Sequence, residues 1–266
     1  FPERKPPQVA EYSIRKSYGR LLDMFEKAFQ REKTLFTLPM YYPLYWQRGP
    51  SGTSEEDRQE RAFEENRQKQ VVGLIRTNFL KRFESSVAAF ELSCERLLKK
   101  LLAFLEVHSE TDAEKKRLER WRTQNAEVLG YATQRHLDFW GDDADESDDE
   151  DIVPQEMLDA VQRLDRKEFD VPEMMSETFL DLDQIVQFLD EARKFEPRHD
   201  DKLQKLIRLL KLKELAGQKV LIFTEFADTA RYLKRQLDKA GIDGVAQVDS
   251  ATKGNRADVI QRFSPY

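Results

Sequence analysis

The sequence predicts a mainly α fold: a long helical hairpin or bundle followed by a truncated α/β unit. Three observations predict it. Leu, Glu, Lys, Arg and Gln far outnumber the ten glycines and ten prolines, a balance that favours helix. Ile75, Phe79, Phe83, Val87, Phe90, Cys94, Leu97, Leu101 and Leu105 follow one another at steps of three or four, so they line one stripe of a helix. Finally, KVLIF, FADTARYLKRQLDKAG and GVAQVDS, within residues 219–250, read as strand, helix and strand. Over that length such a run makes a right-handed parallel unit.

From the N-terminus, PQVAEYSI (7–14) alternates apolar and polar residues after a proline pair and predicts a strand over Val9 to Ile14. SYGRLLDMFEKAFQREKTLF then sets Leu21, Leu22, Phe25, Phe29 and Leu35 near helical spacing. LPMYYPLYWQRGPSG is aromatic and broken by three prolines, which predicts a loop or short turns. Its Tyr41, Tyr42, Tyr45 and Trp46 suit either base stacking or packing of the loop onto its own domain. The stripe predicts one long helix through 55–107. A turn near 109–112 follows, with Ser109 or Thr111 as cap, then a second helix packing back through Leu118, Trp121, Val128, Leu129 and Leu137. QEMLDAVQRLDR and DLDQIVQFLDEARKF predict two further helices, punctuated by Pro154, Pro172 and Pro197. DDKLQKLIRLLKLKELAG predicts a helix stopped at Gly217.

Charge is uneven. The net charge of −6 opposes nucleic-acid binding, but DDADESDDED (142–151) alone carries eight acids. The other 42 acids face 44 bases and leave the rest at +2, so local patches matter more than the mean. The acidic run itself reads as a solvated, flexible linker or a regulatory segment that mimics phosphate. One cysteine, Cys94, excludes an internal disulfide and predicts a cytoplasmic protein. Three scattered histidines with that cysteine form no zinc pattern. There is no apolar run of membrane-spanning length and no apolar signal core at the start. The opening residue, Phe1, predicts an excised or processed piece of a longer chain.

Catalytic signatures are missing. There is no GxxxxGK[ST], no nucleophile elbow, no HExxH and no GxGxxG; GPSGTS (49–54) lacks the phosphate-binding lysine. Fifty acids make paired carboxylates inevitable, so no pair marks a catalytic site.

DDKLQKLIRLLK, QKVLIFTEFADTARYLKRQLDKAGI and VDSATKGNRADVIQRFSP together resemble the opening of the second RecA-like lobe of superfamily-two helicases. The similarity is to the Swi/Snf-type branch and its bacterial relatives, such as the ATPases that recycle RNA polymerase. Asp201, Lys202 and Leu203 match the family's leading helix, Val220 to Phe226 its strand, and Asp249 to Phe263 the following segment, with Arg256 at the family arginine. LIRTNFLKRFESSVAAFE (74–91) is similar to a helical segment of the bacterial branch. FPERKPPQVAEYSI resembles the strand after the first lobe's last ATPase motif. The resemblance implies an internal fragment of an ATP-dependent duplex-DNA translocase. The Walker A lysine, the DExx box and the arginine fingers would lie elsewhere in the longer protein. That protein would hydrolyse ATP with Mg, and this chain would have no catalytic residue, no cofactor and no metal of its own.

The organisation implied is the end of a first lobe and an aromatic linker (1–50), a helical hairpin insertion (51–140), an acidic linker (141–153), a helical segment (154–200) and the start of the second lobe (201–266). Partners implied are double-stranded DNA, the remaining motor lobe, and nucleoprotein or polymerase. Candidate phosphate contacts are Thr224, where the strand turns into helix, Lys253 and Arg256, and Lys81 and Arg82, expected opposite the Phe79/Phe83 stripe. Each has a structural alternative: a turn or cap for Thr224, bracing of the lobe for Lys253 and Arg256, a solvated face or contact with the missing lobe for Lys81 and Arg82. Against the motor stands a second class, a helical scaffold or protein-interaction module with a small α/β end, because long helices serve any scaffold.

Overall fold

A computed structural model describes residues 6–29, 36–49, 54–140, 163–215, 217–249, 252 and 256–263, with backbone alone for 135–140. These residues carry nine α-helices: α1 (Ile14–Ala28), α2 (Glu55–Ser85), α3 (Val87–His108), α4 (Asp112–Gln124), α5 (Ala126–Trp140), α6 (Val171–Ala192), α7 (Asp201–Leu210), α8 (Ala227–Lys239) and α9 (Arg256–Phe263). The fold is mainly α. None of these helices is long and apolar enough to cross a membrane. The chain divides into two compact units, residues 24–193 and residues 1–23 with 194–266. Helix α1 contributes to both and is interrupted at Gly19, whose φ of 38° is left-handed.

The larger unit is built around α3. Fifteen of its 22 residues are buried, so it needs cover on several sides. Helices α2, α5 and α6 supply most of it. All nine stripe residues, from Ile75 to Leu105, are buried. They do not share one helix. Ser86 is extended, with φ −164° and ψ 153°, and its hydroxyl accepts a hydrogen bond from the Ala89 N–H at 3.1 Å. It therefore ends α2 and caps α3. The turn expected near 109–112 is present. Thr111 caps α4 in a reciprocal box with Glu114. Bonds from Arg122 to Glu106 (2.9 Å) and from Tyr131 to Glu91 (2.7 Å) run α4 and α5 back along α3. Leu118, Trp121 and Val128 are buried there; Leu129 is half-buried, and the side chain of Leu137 lies outside the described residues.

Helix α6 begins at Val171, ten residues before the segment that predicted it. Asp170 caps it, and Pro172 sits in the first turn, where its missing N–H costs nothing. Its partners on α4 and α5 are Arg117 with Ser176, Trp121 with Asp183, and Glu127 with Arg193, the last a residue beyond α6. They ascend together, so α6 runs parallel to that pair. At the centre Phe25 stacks on Phe83 (4.6 Å) and Phe188 (5.0 Å), and Phe90 meets Phe188 edge-on at 5.7 Å. The helix expected over 155–166 is not formed at 163–166; the remainder lies outside the described residues, as does the acidic run.

In the smaller unit the expected strands do not form. Among the described residues no strand occurs in either unit, and one isolated bridge pairs Gln47 with Phe169. Val9 is 90% exposed, and the Ser13 N–H bonds the Asp201 side chain (2.8 Å) instead of a ladder. Residues 219–223, expected to be a buried strand, form no strand and are exposed, Phe223 by 86%. An apolar run becomes a buried strand only beside other strands, about 4.8 Å away, and no neighbour is present among the described residues. Residues 244–249 are likewise unpaired. Helix α7 stops at Leu210, not at Gly217; a short 3₁₀ turn at Lys213–Leu215 intervenes, and Gly217 follows with φ 74°. Helix α8 ends as expected. Gly241 donates to the Asp238 carbonyl and Ile242 to the Leu237 carbonyl, both at 3.0 Å, the paired closure that a left-handed glycine allows.

Candidate nucleic-acid interface

The leading-helix residues of the resemblance act first as anchors. Asp200 caps α7 by accepting from the Leu203 N–H at 2.9 Å, and its other oxygen accepts from the Tyr232 hydroxyl of α8 at 3.0 Å. Burial raises this carboxyl above its ordinary range, against the pull of those bonds. Asp201 accepts from the Ser13 N–H and donates its own N–H to the Ser17 hydroxyl at 3.0 Å. Leu203 is buried, and the Lys202 ammonium lies 5.4 Å from the Tyr12 ring centroid. These bonds join residues 12–17 to 200–203 and α8.

Thr224 is exposed, directly after the apolar run and three residues before α8. Its hydroxyl lies 3.5 Å from the Phe226 N–H, and the cap of α8 is Phe226, with no side-chain bond. A turn role and an outward-facing hydroxyl thus coincide. Arg256 is exposed at the first position of α9. A cation there gains nothing from the helix dipole, which favours negative charge at that end. Lys253 lies outside the described residues. The Lys219 ammonium donates to the Arg262 and Phe263 carbonyls at 3.0 Å, so α9 closes onto the start of the apolar run. Thr224 and Arg256 thus share the smaller unit.

Lys81 and Arg82 belong to the larger unit and are separated by burial. Lys81 is exposed. Arg82 is 2% exposed, which corrects the expectation that both face away from the stripe. At about 100° per residue Arg82 lies only about 60° from Phe79 around the helix, whereas Lys81 lies on the far side. Among the aromatics, Tyr41 is buried and Tyr42 donates to Glu65 at 2.7 Å. Burial and that bond push the Tyr42 phenol up to about 12. The loop is pinned further by Asp170 N–H to the Trp46 carbonyl (2.8 Å) and Arg48 N–H to the Glu168 carbonyl (2.6 Å). Packing of the loop is therefore its main role, and Tyr45, 67% exposed, offers the freest face for stacking.

A polar cluster that the sequence reading missed surrounds the α3–α4 turn. A cleft of about 630 Å³ is lined by Lys115, Arg163, Arg166 and Lys167 with Glu110 among others. Arg166 is bidentate on Glu114, both bonds 2.9 Å, and donates to the His108 carbonyl at 2.6 Å. Burial alone would raise the Glu114 carboxyl. The bonds from Arg166 and from the Thr111 and Glu110 N–H groups overcome it and hold the group at about 2. The sequence reading singled out none of these charged side chains, and Arg166 is 52 residues from Glu114.

Comparison with protein-family models, with curated proteins and with solved structures found no match.

Proposed function

We propose that this chain is the inter-lobe helical region and the entry to the second RecA-like lobe of an ATP-dependent DNA translocase of Swi/Snf type. In that reading residues 24–193 are the helical region, and 201–266 open a lobe whose remaining strands lie elsewhere in the protein. The observation that carries it is the exposed run Val220–Phe223, followed by exposed Thr224 and by α8, which Gly241 closes at its C-terminus. Strands of a parallel sheet are continuous apolar runs because both faces become buried. Such a run, 39–86% exposed here, fits a sheet completed by further strands. Thr224 then stands at the carboxyl end of its strand, where α/β folds place ligand contacts. It would meet the DNA backbone, with Arg256 and Lys81 as further phosphate contacts. ATP and Mg are bound by the longer protein, whose partners are duplex DNA, the other lobe and a nucleoprotein or polymerase complex.

The test is the encoding reading frame and the protein it specifies. A phosphate-binding loop and DExx box upstream, with ATP turnover stimulated by duplex DNA, are expected. Thr224→Ala or Arg256→Ala should then lower the DNA-stimulated rate roughly tenfold, the effect of losing a charge-assisted contact of about 1.4 kcal/mol. The chain by itself should bind duplex DNA weakly, with affinity falling steeply with salt. A frame lacking those motifs sinks the reading. The closed aromatic core of 24–193 favours the second reading in that event, a helical scaffold.

A further inference from the structure

His108 ends α3 with its ring enclosed, 1% exposed and 4.3 Å from the Phe104 ring centroid. Its two nitrogens have opposite duties. Nδ1 lies 2.8 Å from the Phe104 carbonyl, which can only accept, so Nδ1 carries the proton. Nε2 lies 3.0 Å from the Leu164 N–H, which can only donate, so Nε2 must be bare. The imidazole is neutral and its tautomer fixed. Leu164 is 56 residues away and begins the segment that leads into α6.

We propose that His108 is a proton-operated latch: neutral, it holds the segment 163–167 on the α3–α4 turn, and protonated at Nε2 it releases that segment and opens the adjoining cleft. A proton on Nε2 would face the Leu164 N–H directly and replace an attraction with a repulsion. The two arginines of the segment would then repel the imidazolium, with Glu110 opposing them. Arg163 and Arg166 face the ring from the segment itself, Glu110 faces it from the turn, and Glu114 of α4 acts through Arg166. Helix α6 presents uncharged Met175 to Arg166. Burial is the main cause that keeps the imidazole below its ordinary pKa, and the two arginines add to it; the Phe104 bond and Glu110 oppose them. The sign follows. A histidine depressed on folding contributes stability that is whole above its unfolded value near 6.5 and is lost as pH falls through the folded value. The latch is therefore shut at neutral pH and opens on acidification. It does not depend on the motor reading.

The experiment is NMR on the whole 266-residue chain. At pH 7.5 the His108 ring should show the Nδ1–H tautomer; an Nε2–H tautomer or an imidazolium at that pH overturns the proposal. As pH falls, amide-exchange protection of Leu164, corrected for intrinsic rates, should drop roughly tenfold or more in step with the ring titration, the weight of one buried hydrogen bond. His108→Gln keeps an acceptor near Nε2 and cannot titrate, so its Leu164 protection should not change with pH. Protection that stays constant in the natural chain through the His108 titration refutes the latch without any variant.

Discussion

Phe36 and Leu38, with φ of 73° and 50°, are the left-handed non-glycine residues among those described. Each such residue costs on the order of 1–3 kcal/mol and persists only when its surroundings over-determine it. Asp181 of α6 supplies the restraint. Its carboxylate accepts from the Leu38 N–H at 2.7 Å and the Thr37 N–H at 3.0 Å, while Arg76 donates to the Phe36 carbonyl. Burial raises the Asp181 carboxyl to about 7, and the bonds from Leu38, Thr37 and Phe36 only partly offset it. A raised carboxyl means that the folded chain holds a proton that the unfolded chain releases. This group's contribution is thus greatest at low pH and falls as pH rises from about 4 to about 7, by at most about 1.4 kcal/mol per pH unit. Urea midpoints of the natural chain and Asp181→Asn, taken from pH 5 to 8, should show the variant gaining relative stability up to pH 7 and then levelling. A pH-independent difference would place the proton elsewhere. Nothing local in the sequence announces Asp181, because the groups it holds are more than 140 residues away.

At the scale of elements, two caps fix where α3 and α4 begin. Ser86 is buried and Thr111 is exposed, so their removal should differ. Ser86→Ala loses a bond inside the unit and should cost about 2 kcal/mol; Thr111→Ala should cost about 1 kcal/mol. Thermal or urea unfolding reads both, and equal costs would mean that burial adds nothing at Ser86. The stripe was legible because burial repeats every three or four residues along a helix, and each of its nine members is buried. The break within it was not. Phe83 and Val87 keep a step of four across Ser86, so the periodicity runs on while the backbone turns. Arg82 failed for a different reason: it lies beside the stripe, and its charge outweighed its angle in the reading. The strand at 219–223 failed because an apolar run reports what it could bury, not whether a neighbour is present.

For the whole molecule, the pairing of residues 1–23 with 194–266 rests on contacts such as Ser13 with Asp201, 188 residues apart. Sequence periodicity carries no trace of such closure. Of the candidate phosphate contacts, the fold shows that Thr224, Arg256 and Lys81 are exposed and Arg82 is buried; a place in a sheet is visible for Thr224 in neither sequence nor fold. The cation-lined cleft at the α3–α4 turn escaped the reading because its residues come from segments about fifty positions apart.

Val220–Phe223 also governs how the protein behaves in solution. Between Lys219 and Glu225 the run is uncharged and free of proline, and its apolar residues are exposed. Those are the traits of a segment that adds edge to edge with copies of itself. Light scattering from the purified chain should therefore grow with concentration in the micromolar range, roughly where exposed strand edges begin to associate. Ile222→Lys, a gatekeeping charge, should suppress that growth while leaving the helical signal unchanged. A natural chain that stays monomeric throughout that range would mean the run is shielded. Keeping such a segment covered from the moment of synthesis is then a task for colloidal stability as much as for folding.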